Sequence, residues 1–367
     1  MTDRILVTYL YHGSDPALIA EMIRVEQTIE FPLDLAPEWI QDVVVGKVEE
    51  ILSNSPDIHQ ITISYNPDVA GLDLTQLLNV LWGNASMFAN LKVIGLELPA
   101  VITDRFKGPR FGIDGLRKFY DAPTRPLLTT GLKPMGSDSK TLAAMARTLV
   151  LGGFDMIKDD HSLANQKWSM WEERVTTITR AVHEANAEIG GRCVYAPSMN
   201  LPFDQIKDAA FKAKELGVGA LLVLPGISGF DAMRSLAEDD DLALPIQGHP
   251  SFLGTLVTSP QNGLSHGIVF GTLMRLAGAD ISIFPNIGGR FSFSADACKE
   301  IQLRAQEPFG KMKKSWVAPA GGMTIERIPE MIEMYGRDTA LLIGGALSRG
   351  DLGENARRMT ELVHSYS

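Results

Sequence analysis

Eight short apolar runs, each followed by an amphipathic stretch, succeed one another from Arg125 to the end of the chain. The predicted strands are Arg125–Leu132, Phe154–Lys158, Cys193–Pro197, Ala220–Leu224, Leu244–Gln247, Asp280–Phe284, Ser315–Ala318 and Ala340–Ile343. The predicted helices are Lys140–Leu151, Ser169–Glu188, Phe203–Leu216, Gly229–Ala237, Leu264–Ala277, Ala295–Gln306, Ile328–Met334 and Asn355–Ser365. A strand covered on both faces reads as a continuous apolar run, and these do. Eight such units in series close into a (β/α)8 barrel, which needs about 250 residues. An open doubly wound sheet competes, but no dinucleotide-type glycine fingerprint follows the first strand. The expected fold class is α/β: a C-terminal (β/α)8 TIM barrel over 121–367 and a smaller N-terminal α+β domain over 1–120.

The N-terminal part has a different rhythm. A strand is expected at Ile5–Tyr11, helices at Pro16–Gln27 and Pro37–Ser53, and a β-like run at Gln60–Tyr65. A helix at Leu74–Phe88 leads to a strand at Leu91–Leu98, and Lys107–Gly112 has the composition of a linker.

Charge narrows the partners. The net charge is −10, whereas a nucleic-acid binder needs a basic face to displace counterions. A small anion remains compatible, because local lysines and backbone N–H groups can hold it against the global field. No apolar run reaches the roughly 18 residues of a membrane span, and no leader pattern opens the chain. The two cysteines, Cys193 and Cys298, make no disulfide framework, as expected of a cytoplasmic protein.

Barrel chemistry sits where the strands end. Lys133 follows the first strand, and Lys158-Asp159-Asp160-His161 ends the second. A charge run is usually a solvated loop, but a barrel rim argues for a site. Asp160 and His161 are candidate metal ligands. Lys158 becomes a ligand only if CO2 converts its amine to a carbamate. Lys133 is a candidate base if a neighbouring cation and partial burial lower its pKa. His249, after strand five, either donates to substrate or caps its loop. Gly321-Gly322 and Gly344-Gly345 follow strands seven and eight, where barrels bind phosphate through approachable backbone N–H groups. His266 reads as structural. His12, His59, His183 and His364 are expected in loops or on helix surfaces, and Cys193 in the core.

Together these residues resemble the ribulose bisphosphate carboxylase (RuBisCO) large-chain family. Gly152-Gly153-Phe154-Asp155-Met156-Ile157-Lys158-Asp159-Asp160-His161 is similar to its metal-site motif, and Arg125–Pro134 to its first barrel strand. Phe106–Pro109 and Gly83-Asn84 resemble its linker and N-domain motifs. The resemblance implies a carbamylated Lys158 and a magnesium-binding Asp160, with Mn²⁺ a possible substitute if His161 ligates. It also implies a catalytic Lys133 and phosphate-binding glycines at 322, 344 and 345. Asn84 and Glu26 are implied to complete the partner's site in a homodimer.

The departures from that family bear on activity. His161 stands where the family has glutamate, and Gly288-Gly289-Arg290 occupies the loop that should carry a lysine. Ala320 replaces a serine, strand five reads Gln247-Gly248-His249-Pro250, and the strand-six histidine is lost. The chain therefore looks like a RuBisCO-like protein without carboxylase activity, retaining enolisation of a phosphorylated ketose. The compact length and His161 resemble the branch containing 5-methylthioribulose 1-phosphate isomerase, of sulfur salvage. Gly248–Phe252 resembles the diketo-methylthiopentyl phosphate enolases. A decarboxylase or transcarboxylase of a phosphorylated keto sugar acid, as in apionate breakdown, is the remaining alternative among enzymes, and a non-catalytic regulatory dimer is the alternative outside them.

Overall fold

The computed structural model describes residues 3–291 and 293–366. A five-stranded sheet is built from β1 (Ile5–His12), β2 (Lys47–Ser55), β3 (Ile58–Tyr65), β4 (Leu91–Glu97) and a short late strand. In β1 the residues Ile5, Val7 and Tyr9 are fully buried while their neighbours are half-buried, the alternation of a sheet covered on one face. The helix Pro16–Glu26 is started by Asp15, whose carboxylate accepts from the Leu18 N–H at 3.0 Å, and by Pro16 in its first turn.

The helix expected over Pro37–Ser53 is not formed. Only Glu38–Val43 is helical, and after Gly46 the chain enters β2. Val43-Val44-Val45 is a β-branched run with poor helix propensity, and β3 offers pairing partners: Val48 lies opposite Ile63, and Ile51 opposite Ile61. The Leu74–Phe88 helix ends at Trp82, and Asn84–Met87 forms a separate 3-10 turn. His59 is also misplaced by the sequence reading. It is a buried residue of β3, hydrogen-bonded through Nδ1 to Ser53 Oγ at 2.8 Å, and His12 is the last residue of β1.

The eight expected barrel strands are all present, to within two residues at each end. They are β5 (Leu127–Leu132), β6 (Met156–Asp159), β7 (Val194–Ala196), β8 (Leu221–Val223), β9 (Ile246–Gly248), β11 (Ile281–Pro285), β12 (Trp316–Ala320) and β13 (Ala340–Leu342). They run parallel in the order β7-β6-β5-β13-β12-β11-β9-β8. A parallel bridge between Ser198 and Leu222 joins the two ends of that order and closes the barrel. The missing number, β10 (Gly263–Leu264), leaves the barrel and pairs with β4.

The lower barrel is packed solid. Leu127, Met156, Leu222, Ile281, Trp316 and Ala340 belong to one buried cluster. Ile113, Leu116 and Tyr120, on the helix Gly112–Tyr120, join that cluster and stopper the N-terminal mouth. Trp316 Nε1 donates to the Ile113 carbonyl at 3.3 Å. Open space is therefore left at the other end, where the strands finish. The helix expected over Leu264–Ala277 begins as β10, and its middle, Ile268–Leu273, is a fully buried π-helix. Such widened turns often mark functional regions; this one carries Phe270, whose carbonyl accepts from Ser282 Oγ at 2.5 Å. Among the described residues no helix is long and apolar enough to cross a membrane.

Candidate active site

Side chains alternate across a strand, so β6 sends Met156 and Lys158 inward and Ile157 and Asp159 outward. Asp159 is thereby removed from the cavity. Its carboxylate is anchored by Arg174 Nε at 3.1 Å, the Tyr195 hydroxyl at 2.7 Å and the Ser198 N–H at 3.1 Å. That anchor fixes the backbone on either side of it, from which Lys158 and Asp160 project.

Lys158 is buried and donates to the Asp159 carbonyl at 3.1 Å. Its Nζ lies only 3.4 Å from where a Cβ on Gly131 would stand, so the glycine in β5 gives the amine its room. Burial, opposed by Asp160 and reinforced by the charge of Lys133, pushes Lys158 down to about 8.

Asp160 gathers the rest of the cluster. Its Oδ1 accepts from Lys133 Nζ at 2.5 Å and faces His161 Nδ1 at 3.1 Å, and its Oδ2 accepts from Ser162 Oγ at 3.0 Å. Burial opposes ionisation, but the hydrogen bonds from His161 and Lys133 and the two lysine charges outweigh it and hold the carboxyl well below its ordinary range. The His161 ring stacks on His249 with centroids 4.5 Å apart and planes 15° apart. His249 Nδ1 accepts from the Ser251 N–H at 3.2 Å and sits 2.9 Å from Ser251 Oγ. The backbone donor fixes the tautomer: the neutral ring carries its proton on Nε2. Burial first, then Lys158 and His161, keep His249 far below its usual pKa, hence neutral.

These groups share one cavity of about 1020 Å³ at the C-terminal end of the barrel. Lys133, Lys158, Asp160, His161 and His249 line it together with Gly321, Gly322, Gly344 and Gly345. Gly321 and Gly322 both have left-handed backbone, φ +89° and +64°. A Cβ on Gly344 would lie 4.0 Å from Lys133 Cε, so the lysine sits beside the second glycine pair. Among the described residues no turn or loop hydrogen bond to a backbone carbonyl is made by the N–H of Gly322, Gly344 or Gly345. Asn84 and Glu26 are not brought to the cavity; Asn84 Nδ2 donates to Glu26 Oε1 at 2.8 Å within the N-terminal unit. His266 lies edge-on to Phe293, and Cys193 and Cys298 are buried free thiols.

Sequence reasoning missed the apolar part of the lining, to which Phe252, Phe270, Phe291, Phe293 and Met323 contribute. The sequence signal was two phenylalanines two positions apart, directly after Gly288-Gly289-Arg290. Arg290 and Arg349 also line the cavity. With Lys133 and Lys158 they set four cationic side chains against the single carboxylate of Asp160, a positive site in an acidic chain.

Among the described residues no three His, Cys, Asp or Glu side chains form a metal-binding group. Asp160 and His161 supply two donors, and the third position is taken by the buried, readily deprotonated amine of Lys158. The donor set fits a divalent cation once that amine is a carbamate, because carbamate and carboxylate are both hard oxygen donors.

The family described as ribulose bisphosphate carboxylase large chain, catalytic domain, matches residues 112–356. A 5-methylthioribulose-1-phosphate isomerase of Rhodospirillum rubrum is 36% identical, over 100% of this chain and 96% of its own. A 2,3-diketo-5-methylthiopentyl-1-phosphate enolase of Bacillus pumilus is 34% identical, over 80% of this chain and 73% of its own. The crystal structure of a Rubisco-like protein from Rhodopseudomonas palustris superposes with a TM-score of 0.89 at 34% identity, covering 100% of this chain and 99% of that one. A lysine–aspartate cluster at the end of the second barrel strand, two glycine turns facing it and matches along the whole chain make this protein a member of the ribulose bisphosphate carboxylase large-chain family, among its Rubisco-like proteins.

Proposed function

We propose that the chain is an enolising enzyme for a phosphorylated ketose, and specifically a 5-methylthioribulose 1-phosphate isomerase. The observation that carries this reading is that one cavity is lined by a lysine–carboxylate cluster, two glycine turns and several apolar side chains. A substrate with a reactive carbonyl, one phosphate and an apolar tail matches those parts in turn. Neighbouring Arg290 and Arg349 add favourable charge for the anion.

Isomerisation of a 2-ketose phosphate moves a proton between carbons through an enediolate. Lys133 Nζ donates to Asp160 Oδ1, which places it in the cluster as the base of this reading. His249 presents a neutral Nε2–H, a donor for an oxygen on which charge develops. The glycine turns orient the phosphate and so choose the carbon that faces Lys133. Lys158 as its carbamate and Asp160 would hold Mg²⁺, with His161 a softer third donor that tilts preference toward Mn²⁺. Such an ion, when bound, polarises the substrate carbonyl. Asn84 and Glu26 would serve a second copy's site in a homodimer.

The test is incubation with 5-methylthioribulose 1-phosphate, Mg²⁺ and bicarbonate in D2O, followed by NMR. Deuterium wash-in with an isomeric product supports the reading; an inert substrate overturns it. A second reading rests on Gly248–Phe252, which brings His249 and Phe252 to the cavity and whose sequence resembles the strand-five stretch of the enolase-type members. Turnover of the diketo phosphate, with no isomerisation of the ketose, would select it.

A further inference from the structure

Arg327 precedes the helix Ile328–Tyr335 and has no place in the chemistry above. Its guanidinium nevertheless joins the two loops that follow β11 and β12. Nε and Nη2 donate to the two oxygens of Glu330 at 3.0 and 3.1 Å, which fixes the plane of the fork. Nη1 then donates to two carbonyls, Ile287 at 3.2 Å and Gly322 at 2.8 Å. Gly288, φ +74°, lies under the guanidinium, and a Cβ there would be 3.3 Å from Nη1.

The two loops also touch backbone to backbone. A Cβ on Gly322 would come within 2.8 Å of the Gly288 carbonyl oxygen and 2.9 Å of Gly289 N and Cα. A Cβ on Gly289 would lie 3.1 Å from the Gly321 carbonyl carbon. A side chain at Gly322 would collide with backbone, and one at Gly289 would need its neighbour to give way, so the turns meet as bare backbone. The Asn286 N–H donates to the Ala320 carbonyl at 2.8 Å where the loops begin, and the guanidinium adds a second tie from outside the cavity.

The consequence for an anion follows from peptide geometry. In a planar trans peptide, C=O and N–H point in opposite directions. Turning the Gly322 carbonyl toward Arg327 turns the Met323 N–H away from it, and Met323 lines the cavity. The same hold withdraws a carbonyl dipole that would repel an anion. The Ile287 carbonyl is held alike, and three residues later the loop carries Arg290 and Phe291 to the cavity.

We propose that Arg327 is a positioning residue that locks the loop after β11 onto the Gly321-Gly322 turn, so that anion binding at the turn and placement of Arg290 and Phe291 are one event. The coupling to an anion rests on the phosphate reading of that turn; the joint locking of the loops does not.

The test uses the full chain, inorganic phosphate and three variants: Arg327→Met, Arg327→Lys and Glu330→Gln. Binding is read by calorimetry, and hydrogen–deuterium exchange is followed over residues 286–291 and 320–324. In the parent, phosphate should slow exchange in both segments. Arg327→Met should weaken phosphate at least tenfold and speed exchange in both segments, with the remaining barrel amides unchanged. Arg327→Lys should not rescue, because one ammonium cannot serve Glu330 and two carbonyls in fixed geometry. Glu330→Gln should fall between, and keeps the test open if Arg327→Met folds poorly. With the phosphorylated substrate, KM should rise more than kcat falls. Loosening of only one segment, or phosphate affinity within twofold of the parent, overturns the proposal. If phosphate protects neither segment of the parent, the phosphate reading fails, while joint loosening in Arg327→Met still supports the lock.

Discussion

Lys133 Nζ stands 2.5 Å from Asp160 Oδ1, joining the ends of β5 and β6 across the seam where the two strands pair. A lysine so held has a defined direction, and its carboxylate is also the one that a cation would need. The cluster therefore has two occupancies to choose between, and its residues can be tested separately.

Lys133→Met should lower proton exchange into the ketose phosphate by about 10²–10⁴-fold, the usual contribution of a general acid or base. Inorganic phosphate should still bind within about twofold, since the glycine turns are untouched. Loss of both together would make Lys133 a phosphate counter-ion; normal exchange would move the base to His249.

Divalent-ion binding should depend on bicarbonate and on two side chains. Lys158→Ala and Asp160→Asn should each abolish it, as followed by electron paramagnetic resonance of Mn²⁺. Unchanged ion binding and turnover in both variants would remove the metal assignment.

Arg174→Met should destabilise the fold by about 3–5 kcal/mol, because it leaves the fully buried Asp159 carboxylate without its cation. Urea titration measures this directly. A cost below about 1 kcal/mol would mean that the Tyr195 hydroxyl and the Ser198 N–H suffice for that charge.

His266 should make stability pH-dependent. Burial, then the charge of Lys92, lower its pKa, with Glu300 opposing. The folded chain thus binds this proton later than the unfolded chain. The contribution is complete above the unfolded value near 6.5 and is lost as pH falls toward the folded value. Because the ring is only partly buried, solvent screening keeps the loss small. Parent minus His266→Asn, by urea titration from pH 8 to 5.5, should show that slope; parallel curves would refute it.

Ribulose 1,5-bisphosphate should not be carboxylated. Arg290, not lysine, comes to the cavity from the loop after β11. Magnesium-dependent formation of 3-phosphoglycerate from bicarbonate would contradict this.

The barrel was legible because its strands are covered on both faces and announce themselves as apolar runs. The cluster was legible because four ionisable residues end such a run. Period-two alternation would also have separated Asp159 from its neighbours, a step that follows only once β6 is known to lie in a barrel. The N-terminal error had a local cause: Glu38–Val43 does start a helix, and only the distant β3 draws Lys47–Ser55 into a strand. Arg327 was illegible for another reason. It works through carbonyl groups of Ile287 and Gly322, which every residue type possesses, so no pattern of side chains points to it.

The two-residue strand β10 ties the halves of the molecule together in time as well as in space. During synthesis the edge of β4 opposite β1 has no partner until Gly263 and Leu264 emerge, by which point five of the barrel strands have already been made. A nascent or truncated chain that stops short of them carries an open strand edge, a template for pairing with other chains. Severing the molecule at the linker Lys107–Gly112 would leave that edge permanently bare.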